Sequence, residues 1–298
     1  MGRDISNTSI NEKYQCIKSI NAHYDSIGVI IELNDGQIAS GSYDKTIKIW
    51  NISNGMCTRE MKENGDVLCL LEFVPNFLLS GTSNNTIQLF SINPPQNYFS
   101  FQGHELWVNC LVKINDKFFG SGSNDSDIIL WDYNKKQKYK ILKGHQKSVI
   151  TLYKLIDGNL CSGGADCVIK IWDWLNGDCL FNLSDHKCWV KCVYQLSSGY
   201  LLSGSDDTKI KIWKRNYNNF QCIKDLDGDK TSVRTFCEIN ENIFASAGFD
   251  GKIKIWNINS FNCIDILEGH NSNVNCIINV NGLIVSCSND HTIKVWAK

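Results

Sequence analysis

Five of the six histidines share a stretch of sequence with a serine and an aspartate, the residue types that a Ser-His-Asp hydrolase combines. In such an enzyme the imidazole takes the proton of the serine hydroxyl, and the carboxylate orients the imidazole. Here the combination recurs along the chain with an indole where an oxyanion site should be, whereas catalysis needs one nucleophile. We interpret the set as structural and expect no catalytic residue. The remaining histidine, His291, falls in a turn and should be exposed.

The 14 cysteines are a second possible source of chemistry. Nine of them recur in two registers: Cys16, Cys57, Cys179, Cys222 and Cys263 in one, and Cys69, Cys110, Cys192 and Cys276 in the other. A structural zinc site needs paired ligands about two to four residues apart, and the nearest approach, Cys188 to Cys192, has no second pair. We therefore expect reduced cysteines that act as small buried apolar residues, and no metal site.

Motifs of other enzyme classes are missing from the sequence. It has no Gly-x-x-x-x-Gly-Lys-Ser phosphate loop, no Gly-x-Gly-x-x-Gly between a strand and a helix, and no His-Glu-x-x-His. We predict a protein that is not an enzyme and that needs no cofactor.

Composition allows a sizeable core, since 43% of the 298 residues are hydrophobic and 11% are aromatic. The 30 Lys and Arg nearly cancel the 31 Asp and Glu, so no overall basic excess favours nucleic acid or an acidic membrane surface. No apolar run reaches the roughly 18 residues of a membrane span. We therefore expect neither a membrane span nor direct contact with nucleic acid.

The N-terminus lacks the apolar core of a signal peptide over residues 1–10. It fits the loose pattern for myristoylation at Gly2, although the charged Arg3 beside it looks unfavourable. We expect residues 1–13 to be a disordered tail and the protein to be intracellular, in the cytoplasm or alternatively in the nucleus.

The elements that position the histidines, serines and aspartates repeat about every 41 residues. An aromatic residue marks each unit, at Trp50, Phe90, Trp131, Trp172, Trp213, Trp256 and Trp296. Each aromatic ends a segment with alternating apolar and polar residues, such as residues 168–172, which indicates a strand. This strand is preceded by a Ser-Gly-Ser-x-Asp turn and, further upstream, by a Gly-His pair that is followed by a strand of its own. These features define three strands, and a fourth follows the aromatic residue. The unit is therefore a four-stranded antiparallel sheet.

The combined Gly-His, Ser, Asp and Trp spacing resembles the WD40 repeat family over residues 14–298. The resemblance implies an all-β fold, a single seven-bladed β-propeller. It also implies that one Asp, His, Ser and Trp in each blade form a hydrogen-bonded chain. Five sets here are complete: His23, Ser40, Asp44, Trp50; His104, Ser121, Asp125, Trp131; His145, Ser162, Asp166, Trp172; His186, Ser203, Asp207, Trp213; and His270, Ser286, Asp290, Trp296.

Two units depart from the family pattern. The second has Glu63, Ser80, Asn84 and Phe90 at these positions, so it lacks the imidazole and the indole. The sixth has Asp229 in place of histidine, beside Ser246, Asp250 and Trp256. We expect these two blades to be the less stable ones.

The last unit ends at Trp296 without an outer strand of its own, whereas residues 14–20 copy the outer-strand segment at residues 220–224. We predict that the N-terminal segment supplies the missing strand and closes the ring, which removes an open sheet edge.

WD40 proteins that hold a peptide over the central channel use three positions per blade: the third and fifth residues after the Gly-His histidine, and the residue before the turn aspartate. At these positions we select as partner-binding residues Tyr43, Leu68, Trp107, Asn109, Ile150, Trp189, Lys191, Arg234, Phe249 and Asn275. Four are large aromatics, which are common binding hot spots. Lys191 and Arg234 suit an acidic or phosphorylated peptide, although Asp206 on the same side offers either cation an ionic partner.

The leading hypothesis is a non-enzymatic protein-interaction scaffold, a monomeric propeller within a hetero-complex that binds a peptide or protein on its top face. The alternative is a substrate-recognition subunit of a ubiquitin ligase or other regulatory complex, reading acidic or phosphorylated peptides. The 13 residues before the first strand are too short for a recruiting domain such as an F-box. An enzyme would need one acid-base or metal cluster in the channel, and the channel positions contain none.

Overall fold

The computed structural model describes residues 13–217 and 219–298, which form 28 β-strands and no helix. The strands pair antiparallel in seven four-stranded sheets, six of consecutive strands and one in which β1 joins β26–β28, which confirms the expected all-β, seven-bladed propeller. The predicted tail at residues 1–13 and the lipidation pattern at Gly2 lie, apart from Lys13, outside the described residues.

Each blade runs from an innermost strand at the channel to an outermost strand at the circumference. Blade 1 contains β2 (Ile27–Glu32), β3 (Ile38–Ser42), β4 (Thr46–Asn51) and β5 (Met56–Lys62). Blade 2 contains β6 (Val67–Val74), β7 (Phe77–Thr82), β8 (Thr86–Ile92) and β9 (Pro95–Gln102). Blade 3 contains β10 (Val108–Lys113), β11 (Phe118–Ser123), β12 (Ile128–Asp132) and β13 (Gln137–Leu142).

The remaining four blades follow the same order. Blade 4 contains β14 (Val149–Lys154), β15 (Leu160–Gly164), β16 (Ile169–Asp173) and β17 (Asp178–Leu183). Blade 5 contains β18 (Val190–Gln195), β19 (Leu201–Ser205), β20 (Lys209–Asn216) and β21 (Asn219–Asp227). Blade 6 contains β22 (Val233–Asn240), β23 (Ile243–Gly248), β24 (Ile253–Asn257) and β25 (Asn262–Leu267). Blade 7 contains β26 (Val274–Val280), β27 (Leu283–Ser288), β28 (Thr292–Ala297) and β1 (Gln15–Asn21).

The inner strands form a closed circle in which each contacts the inner strands of both neighbouring blades, including β2 with β26. The apolar core lies between blades, because the two faces of each sheet pack against the sheets beside it. Close approach requires small residues on the second strand: a Cβ on Gly163 would lie 2.6 Å from Cγ1 of Val190 in the next blade. Glycine at this position lets adjacent sheets meet near the channel.

The N-terminal strand closes the ring as predicted. Strand β1 pairs antiparallel with β28, from Cys16 opposite Trp296 to Asn21 opposite Thr292. The carbonyl oxygen of His291, whose side chain is exposed, accepts the backbone N–H groups of Ala22 and His23 at 3.1 and 3.4 Å. The first and last segments of the propeller are therefore held together by backbone pairing that is interrupted only by a β-bulge between Cys16 and Lys18.

The prediction that the repeated cysteines are buried is wrong for one of the two registers. Cys16, Cys57, Cys179 and Cys263 are exposed and Cys222 is partly exposed. They lie at β-bulges on the outer strands, where each thiol donates to the carbonyl two residues later, as Cys57 does to Arg59 at 3.2 Å. Neighbouring blades diverge at the circumference, so a small apolar residue there stays in contact with solvent. In the other register Cys69 and Cys192 are buried, and Cys110 and Cys276 are partly so.

Candidate functional site

The His, Ser, Asp and Trp of a complete blade form one hydrogen-bonded chain. In blade 4, Nε2 of His145 lies 2.7 Å from Ser162 Oγ, and Nδ1 lies 2.9 Å from Asp166 Oδ2. Trp172 Nε1 donates to the same Ser162 Oγ at 2.8 Å. The three contacts recur at 2.7–2.9 Å in the sets that begin with His23, His104, His186 and His270.

These serines are buried inside the blades, where they join strands through hydrogen bonds. Ser162 has no exposed surface, and its oxygen accepts the indole N–H of Trp172. The hydrogen-bonded chain also fixes the aspartate at the turn. Burial would raise the pKa of Asp207, but hydrogen bonds from His186 and from the Lys187 backbone N–H hold that pKa well below its usual range. The carboxylate is thus kept ionised to accept both donors.

Blade 2 replaces this chain with a buried carboxyl group. Ser80 donates its hydroxyl to Oε1 of Glu63, while Phe90 supplies no donor. Burial raises the pKa of Glu63 to about 7, against the lowering effect of the Ser80 hydrogen bond. This carboxyl group has no cation partner among the described residues, so its ionisation is costly.

Blade 6 keeps half of the chain. Trp256 Nε1 still donates to Ser246 Oγ at 2.9 Å. The shorter side chain of Asp229 accepts the backbone N–H of Thr231 at 3.0 Å and turns toward Asp250. Burial and the nearby carboxylate of Asp250 both raise the pKa of Asp229. Within the described part of the chain, Oδ2 of Asp250 has no hydrogen-bond partner, and Nζ of Lys254 lies 3.8 Å from it.

A cavity of about 390 Å³ opens where the central channel meets the face on which the inner strands begin, here called the top face. Its lining residues are Gly28, Tyr43, Leu68, Trp107, Asn109, Asn124, Ser148, Ile150, Trp189, Lys191, Arg234 and Asn275. The structure thus brings together nine of the ten residues selected from the sequence. Phe249 is the exception and lies beside the cavity, next to Arg234.

Four half-exposed aromatic side chains surround this cavity. Trp107 and Trp189 have 47% and 46% of their surface exposed, and Tyr43 and Phe249 have 40% and 37%. They come from blades 1, 3, 5 and 6, so the apolar contacts are distributed around the mouth. Rigid aromatic rings with this exposure can bury much area on binding at small entropic cost.

The two cations of the cavity differ in how they are paired. Lys191 Nζ lies 3.2 Å from Asp206 Oδ2 and 4.5 Å from the ring centre of Trp189. Burial lowers the pKa of Lys191, and the Asp206 carboxylate opposes that effect. Asp206 in turn accepts the hydroxyl of Ser232. The charge of Lys191 is therefore largely balanced within the protein.

Arg234 is the cavity cation without a carboxylate partner among the described residues. Its guanidinium carbon lies 5.2 Å from the ring centre of Phe249, a cation–π distance. Arg215 pairs with Asp157, whereas Arg234 has no carboxylate within 4.0 Å in the described part of the chain. The corner of Arg234 and Phe249 combines a guanidinium with an apolar surface, which fits a carboxylate or phosphate next to an apolar group.

The two asparagines selected as partner-binding residues have their donors engaged within the ring. Asn109 Nδ2 donates to the carbonyl oxygen of Val149 at 2.8 Å and to Asn124. Asn275 Nδ2 donates to Ile27 at 2.9 Å and to Asn289 in the same way. Each amide thus ties its blade to the next, and only its oxygen side is left for a ligand. The sequence could not separate this role from binding, because both use the same repeat position.

Three further lining residues, Gly28, Asn124 and Ser148, were not selected from the sequence. They occupy the same repeat positions as the selected residues but have small or common polar side chains, so only the shape of the mouth identifies them. In residues 13–217 and 219–298 no cluster of three His, Cys, Asp or Glu side chains is arranged to hold a metal ion. No helix in that part of the chain is long and apolar enough to cross a membrane.

Comparison with protein families identifies the family of the repeat. The model of the family described as WD domain, G-beta repeat, matches six segments, at residues 14–51, 95–132, 136–173, 177–214, 220–257 and 261–297. The interval between the first two matches contains Glu63, Asn84 and Phe90, the unit that lacks both the imidazole and the indole. Comparison with curated proteins gave no match.

Proposed function

Since the chain belongs to the WD40 repeat family, whose propellers typically serve as protein-interaction scaffolds, we propose that it is a non-enzymatic scaffold. Its top face would hold a peptide or a segment of a partner protein over the mouth of the channel. The proposed binding residues are the aromatics Tyr43, Trp107, Trp189 and Phe249 with the cation Arg234.

The observation that carries this proposal is the set of three half-exposed aromatics that line one cavity, with a fourth, Phe249, beside it. The fold does not require them, since equivalent positions in other blades hold serine, asparagine, aspartate or alanine: Ser148 and Ser232 correspond to Trp107 and Trp189. Large rings kept in contact with water at one mouth are typical of interface hot spots. Leu68 and Ile150 add apolar side chains to the lining of the cavity.

A more specific candidate function is recognition of an acidic or phosphorylated peptide within a regulatory complex, such as a ubiquitin ligase. Arg234 supports it, because its guanidinium has no carboxylate partner in the described residues and stacks on Phe249. Lys191 supports it less, because Asp206 already pairs with it. A ligand with one acidic group next to an apolar side chain fits this corner better than a densely charged one.

Affinity capture with quantitative mass spectrometry tests the scaffold proposal. The wild type is compared with a Trp107→Ala/Trp189→Ala variant and with Tyr98→Ala, which removes an exposed aromatic from outer strand β9. Partners of the top face should be lost from the double variant and retained by Tyr98→Ala. Identical partners and yields for all three proteins would show that binding takes place on another surface.

A further inference from the structure

Two cysteines face each other across the junction of blades 4 and 5 on the top face. Cys167 lies in the turn between β15 and β16, and Cys188 lies in the loop between β17 and β18, directly before Trp189. Both are partly exposed free thiols. They belong to neither of the two repeated cysteine registers, so the fold does not account for them.

The repeat geometry shows how close the two residues are. Cys167 has a positive φ of 68°, and the equivalent turn residue of the other six blades has a φ of 65–75°. In the loop, Ser205 Oγ donates to the carbonyl oxygen of Cys188 at 3.2 Å, as Ser288 does to that of Ser272. The turn of blade 4 and the loop of blade 5 therefore repeat the turn of blade 6 and the loop of blade 7.

At that equivalent junction, a Cβ on Gly251 would lie 3.0 Å from the carbonyl oxygen of Ser272 and 3.7 Å from its carbonyl carbon. Cβ of residue 272 is two bonds from that carbon. By this equivalence, Cβ of Cys167 adjoins the carbonyl group of Cys188, so the two side chains project from neighbouring backbone segments. A disulfide there would need roughly 3.5–4.5 Å between the two Cβ atoms.

The electrostatics agree with this contact. Burial raises the pKa of the Cys167 thiol, and the neighbouring Cys188 raises it further, whereas the ammonium of Lys147 lowers it. The two thiols are therefore close enough for charge on one to be felt by the other, with an exposed lysine near to stabilise a thiolate.

We propose that Cys167 and Cys188 form an oxidisable dithiol that a low-molecular-weight disulfide, such as glutathione disulfide, converts to a disulfide between blades. The thiolate of one cysteine attacks a sulfur of the small disulfide, forming a mixed disulfide and releasing one small thiol. The second cysteine, as thiolate, then attacks the protein sulfur, closes the protein disulfide and releases the second small thiol. Two protein thiols are oxidised and one small disulfide is reduced to two thiols.

The bond would fasten the turn of blade 4 to the loop that carries Trp189. It would restrict the backbone next to one of the four aromatics of the top face, so oxidation would change ligand affinity there. This second consequence rests on the proposed function, whereas formation of the disulfide does not.

Peptide mapping tests the disulfide without a binding partner. The folded protein is incubated with glutathione disulfide, free thiols are blocked, and the digest is analysed by mass spectrometry. Trypsin separates the two residues, since Cys167 falls in residues 155–170 and Cys188 in residues 188–191. A linked pair of these peptides is expected. It should be absent from Cys167→Ser and from Cys188→Ser, and present in Cys222→Ser, which removes a thiol on an outer strand.

A Gly251→Cys/Ser272→Cys variant provides a matched control for geometry, because it builds the same pair between blades 6 and 7. If this engineered pair links while Cys167 and Cys188 are recovered only as separate glutathione adducts, the proposal is overturned. It is equally overturned if neither pair links, since the contact inferred from the repeat would then be wrong. Persistence of the linked peptides in Cys167→Ser would assign the bond to Cys161.

Discussion

The indole Nε1 of Trp172 donates a hydrogen bond of 2.8 Å to Oγ of Ser162, and the same oxygen lies 2.7 Å from the imidazole of His145. In blade 6, Trp256 makes the equivalent bond to Ser246, but the residue in place of the histidine is Asp229, which accepts the backbone N–H of Asp250. The two blades thus hold the same tryptophan–serine pair with and without the rest of the chain.

Trp172→Phe should destabilise the protein by about 1–3 kcal/mol, because it leaves the buried serine without its indole donor and breaks a chain of coupled hydrogen bonds. Trp256→Phe removes the same donor from an incomplete chain and should cost less. Urea unfolding of both variants measures the difference. Equal losses would contradict the view that the histidine and aspartate strengthen the tryptophan–serine bond.

Glu63 makes the stability of the propeller fall as pH rises. Its pKa is about 7 in the folded protein against an ordinary value of 4.5, so the folded state keeps the proton that the unfolded state has lost. The contribution of Glu63 to the free energy of unfolding should be highest below about pH 4.5. It should decline up to about pH 7, by on the order of 3 kcal/mol in total.

Glu63→Gln should remove this contribution, so the stability difference between variant and wild type should grow in favour of the variant from pH 5 to pH 8. Glu241→Gln, at an exposed position, serves as the control and should show no such change. Parallel pH dependence in wild type and Glu63→Gln would exclude a buried, protonated carboxyl group in blade 2.

Closure by the N-terminal strand predicts a sharp length dependence. Deleting residues 1–20 removes nearly all of β1, exposes the edge of β28 and uncovers the core around Ile293, where Ile20 is buried. The loss should be roughly 3 kcal/mol or more from the buried isoleucine and the lost strand pairing. Deleting residues 1–12 should leave the thermal midpoint unchanged. Equal midpoints for the full chain and the longer deletion would refute closure by this strand.

Arg234 and Lys191 should contribute unequally to binding an acidic peptide. Arg234→Gln removes a guanidinium without a carboxylate partner in the described residues, and a lost charge-assisted hydrogen bond should weaken binding about tenfold or more. Lys191→Gln removes a cation that Asp206 already neutralises, so its effect should be smaller. The Kd of a phosphorylated peptide selected from a library measures both. A basic or apolar ligand would bind Arg234→Gln unchanged or better.

The repeat made the architecture predictable, because one spacing pattern seen seven times determines strand order, blade number and the partners within each blade. It also predicted β1, since residues 14–20 copy another blade's outer strand. The cavity was predictable at the level of backbone position, which the repeat also sets.

Side-chain roles were less predictable, because they depend on individual side-chain contacts, within and between blades, that the repeat does not encode. Asn109 donates its amide to the Val149 carbonyl of the next blade and to Asn124 of its own blade, and Lys191 is neutralised by Asp206. The cysteines of the outer register, such as Cys57, are exposed because a β-bulge places them where the blades diverge. The sequence offered Asp206 as an ionic partner for Lys191 or Arg234, and the structure shows that it pairs with Lys191.

The central claim is that the aromatic rim of the top face binds a partner, and Trp189→Ala tests it most directly. For a captured partner, titration should give a Kd about thirtyfold higher for Trp189→Ala than for wild type, since a lost aromatic anchor costs about 2 kcal/mol. The thermal midpoint should stay nearly unchanged, and Tyr98→Ala should bind as wild type does. If all three proteins bind every captured partner with the same Kd, the top-face account is contradicted.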